Sequence, residues 1–549
     1  MDRASRLRLA YSEMVLREYN RRFADGSVVD RLDAAFEKPR AAQESALRDI
    51  LAAHAATAYG REHGFDNIRD WRGYRERVPV VDYEALRPFV DRMLAGEPDV
   101  LVRGRASYFS TTSGSTAAPK FIPGTQSTIT TGCEATLARN AFLRRDHPRV
   151  FEGRPLLVVG SMAEGTTTGG VTYGAMTGFG YHAAHMGFQS PPFPYELFTL
   201  RDANARNYAI LRVALAVRDV SVLISYNPST LLRLAEGANE RWDALVEDIA
   251  QGTLSGGLEI PAETRESLRP WLAADPRRAD ELRELRQAGA RAWWPSLSLL
   301  MCWRGGAAGF YLDDLEAALG RIPVRELGLV ASEAAVSVAV DDGRGGAVLT
   351  GSGFFEFVPE GESDMAALPL WGLDIGRYRV LVTTTGGLYR YDLGDVVRVI
   401  GHYKNTPQIE FLHRAGRVYS FTGEKLTEYQ VTVAVRSAAQ ACEQRLVGFT
   451  AVPVWGRPPC YEVFVEPAAA APAAVWERLG TLIDDALAGV NMEYAGKRGS
   501  GRLGPILVTT VPPGSFDRLR RRHAGPDAQY KEVHLAPDPA YREQLGQVA

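Results

Sequence analysis

Along "AAQESALRDILAAHAATAYGREHGF", residues 41–65, apolar side chains recur at helical spacing until Gly60 and Gly64 end the run. The next segment, "RVPVVDYEALRPFVDRMLAGEPDVL", predicts a short strand and then a helix, with Asp82 as N-cap and Gly96 past its end. Up to about residue 95 the pattern is therefore mainly helical. From about 106 to 400 it alternates. Apolar runs of strand length occur in "SYFST", "RPLLVVGS", "VSVLISY", "LSLLMCW" and "GFFEFVP", with helical patterns between them such as "STLLRLAEGANERWDALVEDI". Strands separated by helices predict an α/β domain with a parallel or mixed sheet.

Beyond about residue 421 the pattern changes again. "LTEYQVTVAVRSAAQACEQR" predicts a helix, "LVGFTAVPVW" and "CYEVFVEP" two strands, and "GPILVTTV" a last strand after a further helix. The expectation is α/β: a large mixed α/β domain over 1–421 and a smaller α+β domain over 422–549.

Composition narrows the class. The chain has 549 residues, 46% hydrophobic and 23% charged, with a net charge of -3. That balance gives no pull toward nucleic acid or an anionic membrane surface. Cys133, Cys302, Cys442 and Cys460 are scattered, with no C-x-x-C pair, so neither a disulfide framework nor a zinc site is expected. The most apolar stretch, "LRVALAVRDVSVLISY", is broken by Arg218 and Asp219, too soon to span a bilayer. The charged N-terminus lacks the apolar run of a signal peptide, so a cytoplasmic location is expected.

Three stretches carry candidate chemistry. "TTSGSTAAPKFIPGT", residues 111–125, packs glycine and hydroxyl residues that can wrap an anion with N–H and O–H groups. It is not a Walker loop: no second Gly precedes Lys120 and no Ser or Thr follows it. Both flanks look extended and Pro119 disfavours helix before it, so a hairpin-like loop is expected. Composition alone leaves a phosphate loop and a polar surface turn both open. In "GLVASEAAVS", residues 328–337, Glu333 lies among small and apolar residues, where a buried carboxylate must be paired or metal-bound; an exposed turn is the alternative. In "YRYDLGDVVRVIGHYKNTPQIEFLHR", Asp395 follows Gly394, and an ionised carboxylate there can accept both hydroxyls of a ribose, though most such pairs are turns.

Taken in order with "RERVPVVDYEALRPFVDRMLAGE", "LGPILVTTVPPGSFDRL" and "AQYKEV", these stretches resemble the adenylate-forming superfamily that includes acyl-CoA synthetases and firefly luciferase. More closely, the chain resembles the plant auxin- and jasmonate-conjugating acyl acid–amido synthetases and their bacterial relatives, over nearly its whole length. The resemblance implies adenylation of a small carboxylic acid by ATP and Mg²⁺, with loss of pyrophosphate, then transfer of the acyl group to an amino acid or other amine. Carried over by motif, Thr112, Ser113, Gly114, Ser115 and Thr116 would hold the ATP phosphates, with Ser332 beside Glu333 at the nucleotide. Glu333 would coordinate Mg²⁺ or steer the phosphates, Asp395 would bind the ribose, and Arg414 would sit near the interdomain hinge and the nucleotide. Lys425 and Lys531 would be the positively charged catalytic residues that a mobile small domain brings to the reaction. Leu329 stands where the family usually carries Tyr. Transfer to CoA after the same first step, or a catalytically silent nucleotide-binding homologue, shares most of these features. No nucleic acid, membrane or obligate protein partner is implied. The acid pocket is expected in the middle of the large domain, with residues 160–170, 225–232 and 301–306 as candidate lining; Arg304 could pair with a carboxylate and Trp303 could give a flat apolar wall, an ordinary core Trp and a solvated Arg being the alternative.

Overall fold

The computed structural model describes residues 27–112, 120–181, 185, 187–255, 259–414, 418–419, 424, 426–501, 503–523, 533–536 and 539–548. The chain divides into two compact units, Met1–Phe411 and Leu412–Ala549. No helix among the described residues is long and apolar enough to cross a membrane.

The first unit opens with helices, among them Ser27–Glu37, Pro39–His54, Trp71–Arg77 and Tyr83–Leu94. Asp82 caps the last of these, its side chain accepting the Ala85 N–H at 2.9 Å. In chain order the strands are β1 (Tyr108–Thr112), β2 (Lys120–Gly124), β3 (Arg154–Leu157), β4 (Gly165–Thr166), β5 (Thr172–Gly174), β6 (Val220–Ile224), β7 (Leu299–Met301) and β8 (Val324–Arg325). They continue with β9 (Ser337–Val338), β10 (Gly346–Val348), β11 (Phe354–Pro359), β12 (Leu368–Pro369), β13 (Gly376–Thr383), β14 (Tyr391–Tyr403) and β15 (Thr406–Arg414).

These strands build three sheets. β3, β6, β7 and β8 form a parallel sheet in that order, and their runs of buried Val, Leu and Ile suit strands covered on both faces. β2-β1-β5-β4 is a small mixed sheet, in which β1 and β2 pair antiparallel. β12-β11-β13-β14-β15-β10-β9 is the third sheet, antiparallel at its β12-β11-β13-β14 and β15-β10-β9 pairings. One core cluster centres on the parallel sheet, with Trp242, Trp293, Leu223 and Leu300. Another lies between the first helices and the seven-stranded sheet, with Tyr74, Phe354, Val382 and Tyr389.

The run "STLLRLAEGANERWDALVEDI" reads as one helix but forms two, Pro228–Glu240 and Trp242–Gln251. Arg241 leaves the helical backbone at φ -114° and ψ 18° between them. The break lets Trp242 turn into the core, where its ring centroid lies 5.0 Å from that of Trp293.

The second unit holds β16 (Val418–Tyr419) and β17 (Leu426–Thr427), then a helix, Glu428–Ala441, started by a Thr427–Gln430 capping box. β18 (Leu446–Val454), β19 (Cys460–Pro467) and β20 (Leu507–Thr510) form its sheet, antiparallel then parallel. The helix Ala473–Val490 covers it, and Val435, Phe449, Val463 and Ile483 lie in the shared core.

A buried ion pair joins the helical layer of the first unit to the seven-stranded sheet. Arg390 donates through Nε and Nη2 to both oxygens of Glu356 on β11, at 2.9 and 3.0 Å. Its Nη1 reaches the carbonyls of Arg75 and Val78, at 3.2 and 2.9 Å. Trp71 Nε1 donates to the same carboxylate at 3.2 Å. Arg390 adopts φ 47°, a left-handed conformation that costs a side-chain-bearing residue about 1–2 kcal/mol. Glu356→Ala strands the guanidinium inside the protein, and breaking such a pair from one side costs about 3–5 kcal/mol. Urea unfolding checks this; a loss below about 1 kcal/mol, the value of an exposed pair, would show that the pair does not hold the layers together.

Candidate active site

The parallel sheet sets the site. Leu157, Ile224, Met301 and Arg325 end its four strands and lie in register across it. In open α/β sheets ligands bind beyond these carboxyl ends. The backbone ladder runs one or two residues further: Val158 N–H donates to Ile224 O, Ser225 N–H to Met301 O, Cys302 N–H to Arg325 O and Trp303 N–H to Tyr226 O, at 2.9–3.2 Å. The four exits therefore leave side by side. They are residues 158–170, 225–232, 302–306 and 326–334, the last of which holds Ser332 and Glu333.

Local sequence explains two of these exits. After β6, Asn227 caps the helix Pro228–Glu240 by accepting Ser229 N–H at 3.0 Å, with Pro228 at the first helical position. After β8 the chain makes a narrow hairpin. Val330 bridges Ala335 and Ala331 N–H donates to Ala334 O at 2.9 Å, which puts Ser332 and Glu333 at the tip. Gly328 starts this hairpin at φ 88°, and a Cβ there would lie 2.3 Å from Ser337 O, so only glycine fits. Glu333 is only 7% exposed, so the turn that carries it is a packed one.

The hairpin arms on either side of residues 113–119 pair in register, Thr112 opposite Lys120 and Ser110 opposite Ile122. Ser110 Oγ reaches Ser332 O at 3.5 Å, bringing the Glu333 turn against β1 two residues before Thr112 ends it. On the neighbouring arm, Thr125 Oγ1 donates to Thr385 O at 3.3 Å, within the turn that joins β13 to β14. Asp395 lies on β14 where the register slips: Arg379 pairs with Val396 but Leu381 with Asp392. Such a bulge re-aims the side chains next to it. Gly394 supplies the left-handed residue at φ 68°, and its N–H donates to Asp392 Oδ1 at 2.8 Å. Asp395 is 4% exposed.

Thr112 closes β1, Ser332 and Glu333 share the turn, Asp395 sits on the bulge, and Arg414 ends β15 within the second unit. Ser113, Gly114, Ser115, Thr116, Lys425 and Lys531 lie outside the described residues. His182 does too, while His185 Nδ1 donates to Tyr181 O at 2.7 Å. No group of three or more His, Cys, Asp or Glu that could hold a metal occurs among the described residues.

Sequence reasoning nominated Arg304 to meet a carboxylate and missed Arg139. Arg304 Nη1 donates to the carbonyls of Asp342 and Gly343, at 3.0 and 3.1 Å, and so braces that turn. Arg139 lies in the helix Gln126–Asp146, launched after β2 by a Thr125–Thr128 capping box. It is 6% exposed, and its guanidinium donates to Asn140 Oδ1 at 3.2 and 3.1 Å. No carboxylate pairs with it among the described residues. Burial pulls its pKa down, opposed by the nearby Tyr226 phenol. Tyr226 in turn packs on Trp303, ring centroids 5.4 Å apart. A polar pair, Arg139 and Asn140, in the otherwise apolar buried run 137–143 was the available signal. Cys302, beside Trp303, is no nucleophile: burial pushes its thiol up to about 12.

An α/β protein whose parallel-sheet strands exit side by side at their carboxyl ends is the class these features define. Three domain descriptions then match in order: the GH3 family N-terminal domain over residues 28–324, the central domain over 346–414 and the C-terminal domain over 429–540. The chain belongs to the GH3 family. It is 26% identical over 545 residues to a jasmonoyl–L-amino acid synthetase of Nicotiana attenuata, covering 93% of each chain. It is 27% identical to an indole-3-acetic acid-amido synthetase of Oryza sativa subsp. indica, covering 87% of this chain and 85% of the relative. A solved GH3.15 acyl acid amido synthetase superposes with a TM-score of 0.85 at 25% identity, covering 95% of both chains.

Gly394→Ala tests the bulge. An L-residue at this φ costs about 1–2 kcal/mol, so unfolding by denaturant shifts by that amount. An unchanged midpoint would mean that the bulge does not need the left-handed residue.

Proposed function

We propose that the protein activates a small carboxylic acid as its acyl-adenylate and passes the acyl group to an amino acid or related amine. It is a carbon–nitrogen ligase of the acyl acid–amido synthetase class. The observation that carries this reading is the contact between Ser110 and Ser332, which sets the buried Glu333 turn against β1, the strand that leads into the hydroxyl- and glycine-rich sequence 113–119. The match along the three family domains supports it.

The chemistry asks for these groups. A carboxylate oxygen attacks the α-phosphorus of ATP, a P–O bond forms and pyrophosphate leaves. The amine nitrogen then attacks the acyl carbon, AMP departs with the bridging oxygen, and the amine gives up a proton. Like charges meet in the first step, so donors aimed at the phosphates lower its barrier. Thr112, Ser113, Gly114, Ser115 and Thr116 supply those donors, with Ser332 beside them. Asp395 accepts the ribose hydroxyls. Lys425, Lys531 and Arg414 bring cationic charge from the C-terminal part of the chain.

Mg²⁺ is usually held by one or two carboxylates and by the substrate's own phosphates. A buried carboxylate at the turn fits an ion of that kind. Glu333 would hold it, and the ion would offset phosphate charge.

Arg139 anchors the acyl acid. A guanidinium buried without a carboxylate partner is costly, and an incoming carboxylate offsets that cost. Tyr226 and Trp303 supply flat apolar surface alongside.

An acid-by-acid ATP–pyrophosphate exchange screen tests the reading, followed by product mass after adding an amino acid mixture or CoA. Exchange with an acid and amide mass with an amino acid are expected; thioester mass alone would replace the amide reading. Glu333→Ala and Asp395→Ala should each lower exchange about 10²–10³-fold. Arg139→Leu should raise KM for the acid about 10–100-fold, the worth of a charge-assisted bond, while leaving KM for ATP unchanged. The same variant should be no less stable than wild type, since it removes a buried charge that meets no carboxylate among the described residues. A drop in melting temperature with unchanged KM would assign Arg139 to the fold.

A further inference from the structure

Glu326 is the first residue past β8 and is 5% exposed. Its carboxylate accepts three backbone N–H groups: Arg304 on Oε2 at 2.7 Å, and Leu327 and Gly328 on Oε1 at 2.9 and 3.0 Å. Burial pushes its pKa up, and these three bonds pull the other way. A second link closes the loop: Trp303 Nε1 donates to Gly328 O at 3.0 Å. Gly328 is thus held by its N–H and its carbonyl at once. It is also the residue at which the Glu333 hairpin begins, where Leu329 N–H meets Ser337 Oγ at 2.9 Å and Leu329 O takes Val336 N–H at 2.8 Å.

We propose that Glu326 is a positioning residue, whose carboxylate ties the exit of β7 to the exit of β8 and thereby sets where Glu333 stands. The geometry leaves little else for it to do. It is sealed from solvent, its hydrogen bonds among the described residues all come from backbone donors, and those donors belong to the Trp303–Arg304 exit and the base of the Glu333 turn. A residue of Glu326's length and charge bridges two separate loops that no strand pairing connects at that level. The inference rests on the proposed role of Glu333 toward Mg·ATP.

The test is a double-mutant cycle on the full chain. Glu326→Gln replaces one acceptor oxygen with an N–H donor and sets it against a backbone N–H. Glu326→Asp keeps the charge but shortens the reach. Mg·ATP binding by calorimetry and pyrophosphate exchange are both measured, alone and in a Glu333→Ala background. Supporting residues of ligand-bearing groups typically matter about 10–100-fold. Both single variants are therefore expected to weaken Mg·ATP binding and slow exchange by that factor, with KM for the acid unchanged and circular dichroism as in wild type. In the Glu333→Ala background neither should lose more, because an effect exerted through Glu333 vanishes with it. Additive losses, unchanged binding, or variants that fail to fold overturn the inference and leave the proposed function standing. Wild-type protein that binds no Mg·ATP overturns both.

Discussion

The buried pair of Arg390 and Glu356 fixes how the helical layer of the first unit meets its largest sheet. Two charges taken from water carry a large desolvation penalty, offset only when geometry is good and the remaining hydrogen-bonding capacity is filled. Here it is filled: the guanidinium meets a bidentate carboxylate and two carbonyls, and the carboxylate also takes the Trp71 indole. The arrangement needs Arg390 in a left-handed conformation, so the chain turns sharply into β14. Val81 then pairs with Tyr391, and the strand that carries Asp395 starts from a defined point.

From that point the site is built by backbone register more than by side-chain reach. The bulge at Gly394 slips β14 against β13 and places Asp395 inside the protein. Across the parallel sheet, ladder bonds beyond the strand ends keep four exits abreast. The Glu333 turn leaves one of them and meets β1 through Ser110. Charge is distributed to match. Buried carboxylates at residues 326 and 333 stand on one exit, one committed to backbone donors and the other at the tip of the turn. A buried guanidinium, Arg139, lies by Tyr226 near another. Groups of opposite sign kept out of water interact more strongly than on a surface, which suits a reaction that must hold both phosphates and a carboxylate.

Much of this was legible in the chain. Apolar runs at 154–161, 220–226 and 297–303, bounded by Gly, Pro and polar residues, mark buried strands because their side chains cannot face water on either side. Asp82 marks a helix start because free N–H groups there need nearby acceptors. Local needs of this kind are written in local sequence. The break at Arg241 was not legible, since propensity favours one continuous helix and only the packing of Trp242 on Trp293 decides otherwise. Nor was the choice between Arg304 and Arg139. Both are arginines, and that one braces the carbonyls of a turn while the other is buried beside Asn140 and Tyr226 depends on tertiary neighbours that local sequence does not specify.

Order along the chain thus carried the element types, the turn chemistry and the identity of the carboxylates and hydroxyl-rich hairpin. What folding alone decided was adjacency: that Ser110 would touch Ser332, that Glu326 would find the Arg304 N–H, that Arg139 would be buried without an acidic partner among the described residues. The reason is one of range. Capping, turn and strand preferences act over a few residues and repeat wherever the same residues occur. Burial and pairing arise between segments far apart in sequence, and they take their values only once the sheet has set those segments side by side.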